Sequence, residues 1–316
     1  MMRFAILADI HGNLPALEAV LDDVRHDHVD GIWTLGDYLI GGPGQNEVMR
    51  RLYELGSVFI LGNNEEYLLD YSVGRTPERR TAKQWAPMRW ACQHLDPQWL
   101  DLIRILPEQR VIAVDGAVSV RAHSVRLVHG SHRRIREPLL PDRDPERVQR
   151  FREAGFWANG DLPTCLRDAL DGLQEPVLVC GHTHIPWVQR EVDILAFNPG
   201  SVGGPIDGDK RAQYAILTWT GDEWQVELKG AAYDSARIYD DFVRSGYWDE
   251  VGAMARALWL GMRSGQNVVY GLLLHARQLM AQAGIDHLPV VPDDIWDRAV
   301  DTFDWRRAED GLPMFD

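Results

Sequence analysis

The chain has few cysteines, and they do not share a short spacing. Cys92, Cys165 and Cys180 are spread over a sequence of 316 residues. An odd, scattered set of this kind argues against a disulfide framework and against a cysteine-based zinc site. We therefore expect reduced thiols that serve only in packing.

Long apolar runs and an excess of positive charge are also missing. No stretch approaches the roughly 18 apolar residues of a membrane-spanning helix, and the opening "MMRFAILADIHGN" does not follow the pattern of a secretory signal. The formal net charge of −14 gives no general attraction to nucleic-acid phosphates. These absences predict a cytoplasmic protein that binds neither membranes nor nucleic acid. An anionic substrate then needs local positive charge, for which bound metal ions are the obvious source.

The first third of the chain alternates between strand and helix patterns. Short apolar runs at 3–8, 31–36 and 57–62 are typical of buried strands, and apolar residues at helical spacing occupy 13–27 and 47–56. Strand, helix, strand, helix, strand is the order of a parallel sheet with crossover helices. Asn13 is interpreted as the N-cap of the first helix, with support of a metal ligand as the alternative.

Strand patterns dominate the next part, and helical patterns the last. Further strands are predicted at 110–115, 117–122, 125–130, 176–181, 187–192, 193–198, 213–219 and 223–229, and final helices at about 233–245, 251–263, 266–283 and 293–307. A Trp-rich helical insertion is expected at about 76–105. We predict an α/β domain over 1–230, with two sheets packed face to face and helices outside. A helical extension over 231–316 is expected to pack on this domain or cap it.

Polar side chains suited to metal binding follow several of the predicted strands. They are Asp9, His11, Asp37, Asn63, Asn64, His129, His182 and His184. Ligands of open α/β sheets bind beyond the carboxyl ends of the strands. The pairs 9/11 and 182/184 are each two residues apart, which in extended backbone directs both side chains to the same side.

Each of these residues alone has an ordinary structural explanation. Asp9 suits a helix cap or a turn, "GDY" suits a tight turn, and a lone histidine such as His129 is usually a hydrogen-bonded structural residue. Seven oxygen or nitrogen donors at strand ends, all of the residues named above except Asn64, are harder to explain in this way. Clusters of imidazole and carboxylate are the ligands of first-row divalent metals, so the sequence favours a metal site.

The blocks "DIHGN", "GD", "GNNE", "HG" and "GHTH", in this order over residues 9–184, resemble the signature of the calcineurin-like metallophosphoesterases. The run "DIHGNLPALEAVL" and the segment "NPGSVGGP" at 198–205 are similar to the bacterial branch related to diadenosine tetraphosphatases and small phosphodiesterases. The resemblance covers about 1–240. It implies an α/β (α+β) fold of four layers, in which two mixed β-sheets pack together between helices.

The resemblance also implies a binuclear metal site. One ion would be bound by Asp9, His11, Asp37 and His184, and the other by Asn63, His129, His182 and Asp37, so that Asp37 bridges the two. Two cations about 3.5–4 Å apart clamp both oxygens of an in-line displacement. Manganese is the expected metal, with iron, zinc and nickel as alternatives. The implied reaction is hydrolysis of phosphodiester or phosphoanhydride bonds by a metal-bridging hydroxide.

The sequence departs from the family pattern at Asn64, where the family has a histidine that assists the leaving group. An amide cannot act as a general acid, so either His132 replaces the histidine or the leaving group is stable as an anion. We favour the second interpretation, which predicts phosphoanhydrides or activated diesters as substrates. The predicted catalytic residues are Asp37, Asn64 and His132, and the predicted substrate-binding residues are Asn64, His132, Arg133 and Arg134. For the two arginines, a solvated basic loop is an equal alternative.

Other functions remain open from the sequence. A phosphomonoesterase could use the same site, a scaffold protein could have the same fold, and a binuclear amidohydrolase disagrees with the order of the blocks. The favoured partner is a small phosphorylated substrate such as a nucleotide or dinucleoside polyphosphate. A homo-oligomer formed through the C-terminal helices is the other expected partner. Glu65 and Glu66 are interpreted as complementing a helix dipole, with a role as acids as the alternative.

Overall fold

Eleven strands, twelve α-helices and two short 3-10 helices (Pro77–Arg79 and Lys83–Trp85) lie in the part of the chain that the computed structural model describes, residues 1–114, 123–141 and 163–314. The strands are β1 (Met2–Leu7), β2 (Gly31–Thr34), β3 (Gln109–Ala113), β4 (Ser124–Val128), β5 (Leu139–Leu140), β6 (Thr164–Cys165), β7 (Val177–Val179), β8 (Trp187–Glu191), β9 (Ile194–Asn198), β10 (Ala212–Trp219) and β11 (Trp224–Ala231). The helices are α1 (Leu14–Asp27), α2 (Gln45–Glu54), α3 (Asn63–Ser72), α4 (Ala86–His94), α5 (Pro97–Ile103), α6 (Leu166–Ala169), α7 (Ser235–Arg244), α8 (Tyr247–Val251), α9 (Ala253–Ser264), α10 (Val268–Gln282), α11 (Asp293–Thr302) and α12 (Trp305–Glu309). The strand predicted at 117–122 lies outside the described residues.

Two mixed sheets form the centre of the fold, as predicted. One has the order β11-β10-β1-β2, in which only β1 and β2 are parallel. The other has the order β3-β4-β7-β9-β8, with β4, β7 and β9 parallel and antiparallel strands at both edges. Parallel strands need crossover connections, and α1 supplies the one between β1 and β2. The carboxyl ends of these strands carry the loops that hold the predicted ligands.

Apolar side chains from both sheets meet in one buried layer, which includes Ile6, Trp33, Leu127, Val179 and Phe197. The outer face of the first sheet packs on α1 and α2, and the outer face of the second packs on α6. The order of layers is therefore helix, sheet, sheet, helix. Burial of this apolar surface on both sides of each sheet is the main favourable term in forming such a core.

The first helix confirms the prediction for Asn13. Its side-chain oxygen accepts a hydrogen bond from the backbone N–H of Ala16 at 3.2 Å, which satisfies one of the unpaired donors at the helix start. Leu17, Val20 and Val24 then lie on the buried face of α1. The cap therefore fixes where the loop carrying the first ligands ends and the helix begins.

The prediction of a third parallel strand at 57–62 is wrong. Within these described residues only Val58 pairs with β2, in one isolated bridge to Trp33. Beyond it, the backbone N–H and C=O of Ile60 bond to the hydroxyl of Tyr38, at 3.3 and 2.9 Å. Because a side chain takes these backbone groups, the segment leaves the sheet and leads directly into α3.

The helices after β11 enclose a second apolar core, with Phe242, Leu260, Leu272, Met280 and Trp296 among its buried members. Ala86 and Trp90 of α4 belong to the same cluster, so the predicted insertion and the C-terminal extension pack together. No helix among the described residues is both long and apolar enough to cross a membrane.

Candidate metal centre

Six of the seven predicted ligands lie on turns after the strands, and the seventh, Asn63, is the first residue of α3. Five of them have left-handed backbone: Asp9 (φ 56°), His11 (φ 52°), Asp37 (φ 54°), His182 (φ 66°) and His184 (φ 55°). Residues other than glycine seldom adopt this conformation, and it is common at functional sites. The expectation that extended backbone aligns the pairs 9/11 and 182/184 is therefore wrong, because β1 and β7 end before the ligands begin. The side chains converge through tight turns instead.

Hydrogen bonds between the loops hold these turns in place. The backbone N–H groups of Ile10 and His11 both donate to the carbonyl of Asp37, at 2.8 and 3.0 Å. The N–H of His182 donates to the carboxylate of Asp9 at 3.0 Å, and the N–H of Asn64 donates to the carboxylate of Asp37 at 2.9 Å. The loops after β1, β2 and β7 are thus joined to one another and to the start of α3.

A first group of atoms that could hold a metal ion comes from Asp9, His11 and His184. The Nδ1 atoms of the two histidines lie 3.0 Å from Ile40 O and 2.6 Å from Gly204 O. A carbonyl only accepts, so each Nδ1 carries the hydrogen and each Nε2 presents a lone pair. The two Nε2 atoms are 3.1 Å apart, and Asp9 Oδ1 is 3.5 Å from that of His184. Acceptors that face one another in this way fit a shared cation.

A second group has the same character. His129 Nδ1 lies 2.7 Å from Leu35 O, which again leaves the lone pair on Nε2. That nitrogen lies 2.8 Å from Asn63 Oδ1 and 3.4 Å from Asp37 Oδ1. The amide of Asn63 is oriented by donation from its Nδ2 to Asn64 Oδ1 at 3.2 Å. Three acceptor atoms with no hydrogen between them also fit a cation.

Asp37 lies between the two groups. Its Oδ1 faces His129, and its Oδ2 is 3.8 Å from Nε2 of His11. One carboxylate thus presents one oxygen to each group, which is the arrangement a bridging ligand needs. Asp9 also has a carboxylate oxygen close to both groups. The ring of His182 lies beside that of His129, with 5.0 Å between centroids, and its Nε2 is 3.1 Å from Arg136 O.

The charges of the site are strongly affected by burial. Burial raises the pKa of Asp9, and the nearby charge of Asp37 raises it further. Burial also raises the pKa of Asp37, to about 6. The same loss of water lowers the pKa of His129 to about 3, so that this imidazole is neutral. Metal binding requires neutral imidazoles, and a bound cation would offset the repulsion between the two close carboxylates.

Glu65 has a role that the sequence interpretation missed. Its buried carboxylate accepts from four backbone N–H groups, those of Asp37 (2.8 Å), Tyr38 (2.9 Å), Leu39 (3.3 Å) and Gly62 (3.1 Å). Burial and the charge of Asp37 raise the pKa of Glu65 to about 8. The residue therefore clamps the loop that carries Asp37 to the start of α3. A glutamate at the third position of a helix, in the pattern of a capping box, was the available signal.

The segment "NPGSVGGP" supplies further support to the ligand loops. The Ser201 hydroxyl donates to the backbone carbonyl of Asp9 at 2.7 Å. Asn198 Nδ2 donates to Gly181 O at 2.5 Å and to the Thr183 hydroxyl at 3.1 Å. The carbonyl of Gly204 orients His184. The resemblance pointed to this segment, but no residue in it could be assigned a role from sequence.

The predicted substrate-binding residues after His129 have other partners. His132 Nε2 lies 3.0 Å from Asp171 O. Arg133 donates to the Glu137 carboxylate and to Asp168 O, both at 2.9 Å, and Arg134 pairs with the same glutamate. None of these three is among the described residues that line the cavity beside the ligands. Their role in substrate binding stays a prediction.

That cavity has a volume of about 320 Å³. One side is formed by ligand residues and Asn64, and the other by the C-terminal helices. Asn64 contributes its amide, which lies 3.2 Å from Nδ1 of His11. The arrangement places a concave space between the two groups of acceptor atoms and the helical extension, which is where a substrate has access to both.

Comparison with known proteins gives the class to which this fold and site belong. The model of the calcineurin-like phosphoesterase superfamily domain matches residues 2–222, more than half of the chain. The chain therefore belongs to the calcineurin-like phosphoesterase superfamily, a family of metal-dependent phosphohydrolases.

Individual relatives are more distant. Phosphodiesterase YfcE of Escherichia coli is 27% identical over 220 residues, which cover 69% of this chain and 88% of YfcE. The symmetrical bis(5'-nucleosyl)-tetraphosphatase of Thioalkalivibrio sulfidiphilus is 28% identical over 180 residues, or 50% of this chain and 66% of that protein. The crystal structure of a metallophosphoesterase from Sphaerobacter thermophilus matches with a TM-score of 0.60 and 25% identity, covering 84% of this chain and 99% of that one.

Proposed function

We propose that the protein hydrolyses phosphodiester or phosphoanhydride bonds in a small phosphorylated substrate and uses two divalent metal ions, with manganese as the expected metal. The observation that carries this proposal is the position of Asp37 between two groups of acceptor atoms. Metal ions bound there lower the pKa of water and offset the charge of a phosphate group. The names of the relatives, a phosphodiesterase and a nucleosyl-tetraphosphatase, support diesters and nucleotides as the substrate class.

The metal ligands assigned to the two ions are the seven named from the sequence. Asp9, His11, Asp37 and His184 would hold one ion, and Asp37, Asn63, His129 and His182 the other. The carbonyls that accept from the Nδ1 atoms of His11, His129 and His184 support this assignment, because they fix the tautomer that leaves Nε2 available.

Asn64 is the residue of this chain proposed to contact the substrate directly. Its backbone N–H is bonded to Asp37, and its side chain lines the cavity. The amide can donate a hydrogen bond to a phosphate oxygen but cannot transfer a proton to a leaving group. We therefore propose substrates whose leaving groups are stable as anions, such as nucleotides or acidic phenols.

Three alternatives compete with this proposal. A phosphomonoesterase would use the same ligands, and only the substrate panel separates it from a diesterase. A scaffold protein without activity is disfavoured, because each of the seven positions carries a side chain able to bind a metal ion. The binuclear amidohydrolase is excluded by the family match. Self-association through the C-terminal helices stays a prediction.

Elemental analysis and a substrate panel, combined with Asp37→Asn, test the proposal. The wild type is expected to bind two metal ions per chain and to hydrolyse diesters or anhydrides with added manganese. The variant is expected to lose metal and at least about 100-fold in kcat/KM, with its circular dichroism spectrum unchanged. Asp22→Asn on the exposed face of α1 is the matched control. Wild-type turnover or metal content in Asp37→Asn would contradict the bridging role.

A further inference from the structure

One wall of the cavity is built from the C-terminal helices and is apolar. Met254, Leu258 and Met262 are spaced four residues apart on α9, which places them on one face of that helix. Val268 and Val269 at the start of α10 extend the same wall. We call these five residues the apolar wall. It lies across the cavity from the ligand residues.

Hydrogen bonds connect the apolar wall to the ligand loops. Asn13, two residues after ligand His11, donates from Nδ2 to the Tyr233 hydroxyl at 3.2 Å. That hydroxyl donates in turn to the backbone carbonyl of Met262 at 3.2 Å. A second connection joins Gly208 N–H to Gly265 O at 2.9 Å. The wall is therefore held at a fixed distance from the ligands and is not an accidental contact of a mobile tail.

The size of the cavity limits what can occupy it. Its volume of about 320 Å³ is at the low end of the range of about 300–1,000 Å³ for small-molecule sites. A space of this size holds one ring-sized group beside a phosphate. Methionine side chains adapt to flat rings and make favourable contacts with aromatic groups.

The charge of the cavity lining also argues against a dinucleoside polyphosphate as the substrate. Among the described residues that line the cavity there is no lysine or arginine. Apart from the proposed metal ions, the described lining offers only neutral donors, such as Gln266 and Asn267, to additional phosphate groups. A polyphosphate chain would bring several negative charges to an apolar surface, where desolvation of a charge is costly. A diester brings a single charge, which the metal site can meet.

We propose that the apolar wall binds an apolar or aromatic ester group of a phosphodiester with one negative charge, and that such diesters are preferred over dinucleoside polyphosphates. The proposal rests on the proposed phosphohydrolase function and specifies its substrate class. Leu258 is its central specificity residue, because it lies in the middle of the wall and is only partly buried, whereas Met254 and Met262 are 6% and 3% exposed.

The test keeps the leaving group constant and changes only the retained ester group. Methyl p-nitrophenyl phosphate and phenyl p-nitrophenyl phosphate have the same charge and the same leaving group. With manganese, kcat/KM for the phenyl diester is expected to exceed that for the methyl diester by about 10-fold or more. Diadenosine tetraphosphate is expected to be a poorer substrate than the phenyl diester.

Two variants test whether the preference for the phenyl diester depends on the apolar wall. Leu258→Gln keeps a similar size and is expected to abolish the preference mainly by raising KM for the phenyl diester, while metal content stays unchanged. Val243→Gln, at a position of α7 that is 52% exposed, is the matched control and should behave as the wild type. Equal values for the two diesters in the wild type, a preference unchanged in Leu258→Gln, or better turnover of diadenosine tetraphosphate would overturn the proposal.

A binding measurement separates this proposal from the proposed function. Phenylphosphonate and methylphosphonate are not hydrolysed, and calorimetry of the manganese-loaded protein compares their affinities directly. Tighter binding of phenylphosphonate with a more negative heat-capacity change indicates burial of apolar surface. If no ester is hydrolysed but this difference is present, the wall binds apolar groups and the hydrolase proposal fails. If the two phosphonates bind equally, the wall has no such role.

Discussion

Replacement of Glu65 by glutamine tests how the loop carrying Asp37 is held. In the structure, Oε2 of this carboxylate accepts from the N–H groups of Asp37 and Gly62, and Oε1 accepts from those of Tyr38 and Leu39. A glutamine side chain has one acceptor oxygen, and its amide nitrogen cannot accept. At most one of the two pairs of N–H groups therefore keeps its partner in Glu65→Gln.

The magnitude follows from the two N–H groups left without an acceptor. An unsatisfied buried donor costs about 1–3 kcal/mol, so the free energy of unfolding should fall by about 2–6 kcal/mol. The same change displaces Asp37, so affinity for manganese should fall as well. Glu66→Gln is the matched control, since Glu66 is on the same helical turn but forms a partly exposed ion pair with Arg136, at 2.8 Å. An exposed pair contributes about 0–1 kcal/mol, and this one leaves no buried backbone N–H group without an acceptor when it is lost.

Urea unfolding followed by tryptophan fluorescence measures the first effect, on metal-free protein. The pKa of Glu65 is about 8, so the measurement belongs at pH 9, where the wild-type carboxylate is ionised. Calorimetric titration with manganese measures the second effect. If Glu65→Gln and Glu66→Gln have equal free energies of unfolding and equal metal affinities, the four hydrogen bonds do not hold the loop that carries Asp37.

Three further predictions concern the same site. Gly62→Ala should reduce metal content and activity, because an added Cβ lies 2.2 Å from Asp37 N; full metal occupancy would argue against this close approach. Wild-type rates on aryl phosphates should fall steeply as the pKa of the leaving group rises, and Asn64→His should flatten this dependence; a flat wild-type series contradicts the role assigned to Asn64. Manganese should raise the Tm in a concentration-dependent way, since it binds the folded protein; an unchanged Tm speaks against the metal site.

Most of the order of elements could be predicted from the sequence, and so could the convergence of several side chains that are able to bind a metal ion. Apolar runs followed by Asp9, Asp37 and His129 mark strand ends, and strand ends meet at one edge of a sheet whatever the details of the loops. The structure brings Asp9, Asp37 and His129 together for that reason, whereas Asn63 reaches them as the first residue of α3. These predictions use only the spacing of apolar residues and the order of the motifs along the chain, and both can be read from a single sequence.

The backbone of the site could not be predicted in the same way. Extended pairing was expected at 9/11 and 182/184, whereas the structure has left-handed turns. The local preference of histidine and aspartate for left-handed backbone is too weak to predict this conformation from the sequence. Contacts between distant loops impose it. The bond from Asp37 O to the N–H of His11 is one such contact. The loss of a strand at 57–62 has a similar cause, because Tyr38 reaches Ile60 only in the folded chain.

The apolar wall is a second feature that could not be recognised from the sequence. Met254, Leu258 and Met262 repeat at four-residue intervals, and that is also the pattern of a helix packed in a core. The pattern alone does not separate a packing role from a binding role, and Met254 and Met262 are in fact almost fully buried. A helix face becomes a possible binding surface only when a cavity lies opposite it. Here the far side of that cavity is lined by predicted metal ligands such as His11 and His184. The proposed substrate preference thus depends on residues whose sequence pattern is indistinguishable from that of ordinary core, while the proposed reaction depends on residues with a strong chemical signature.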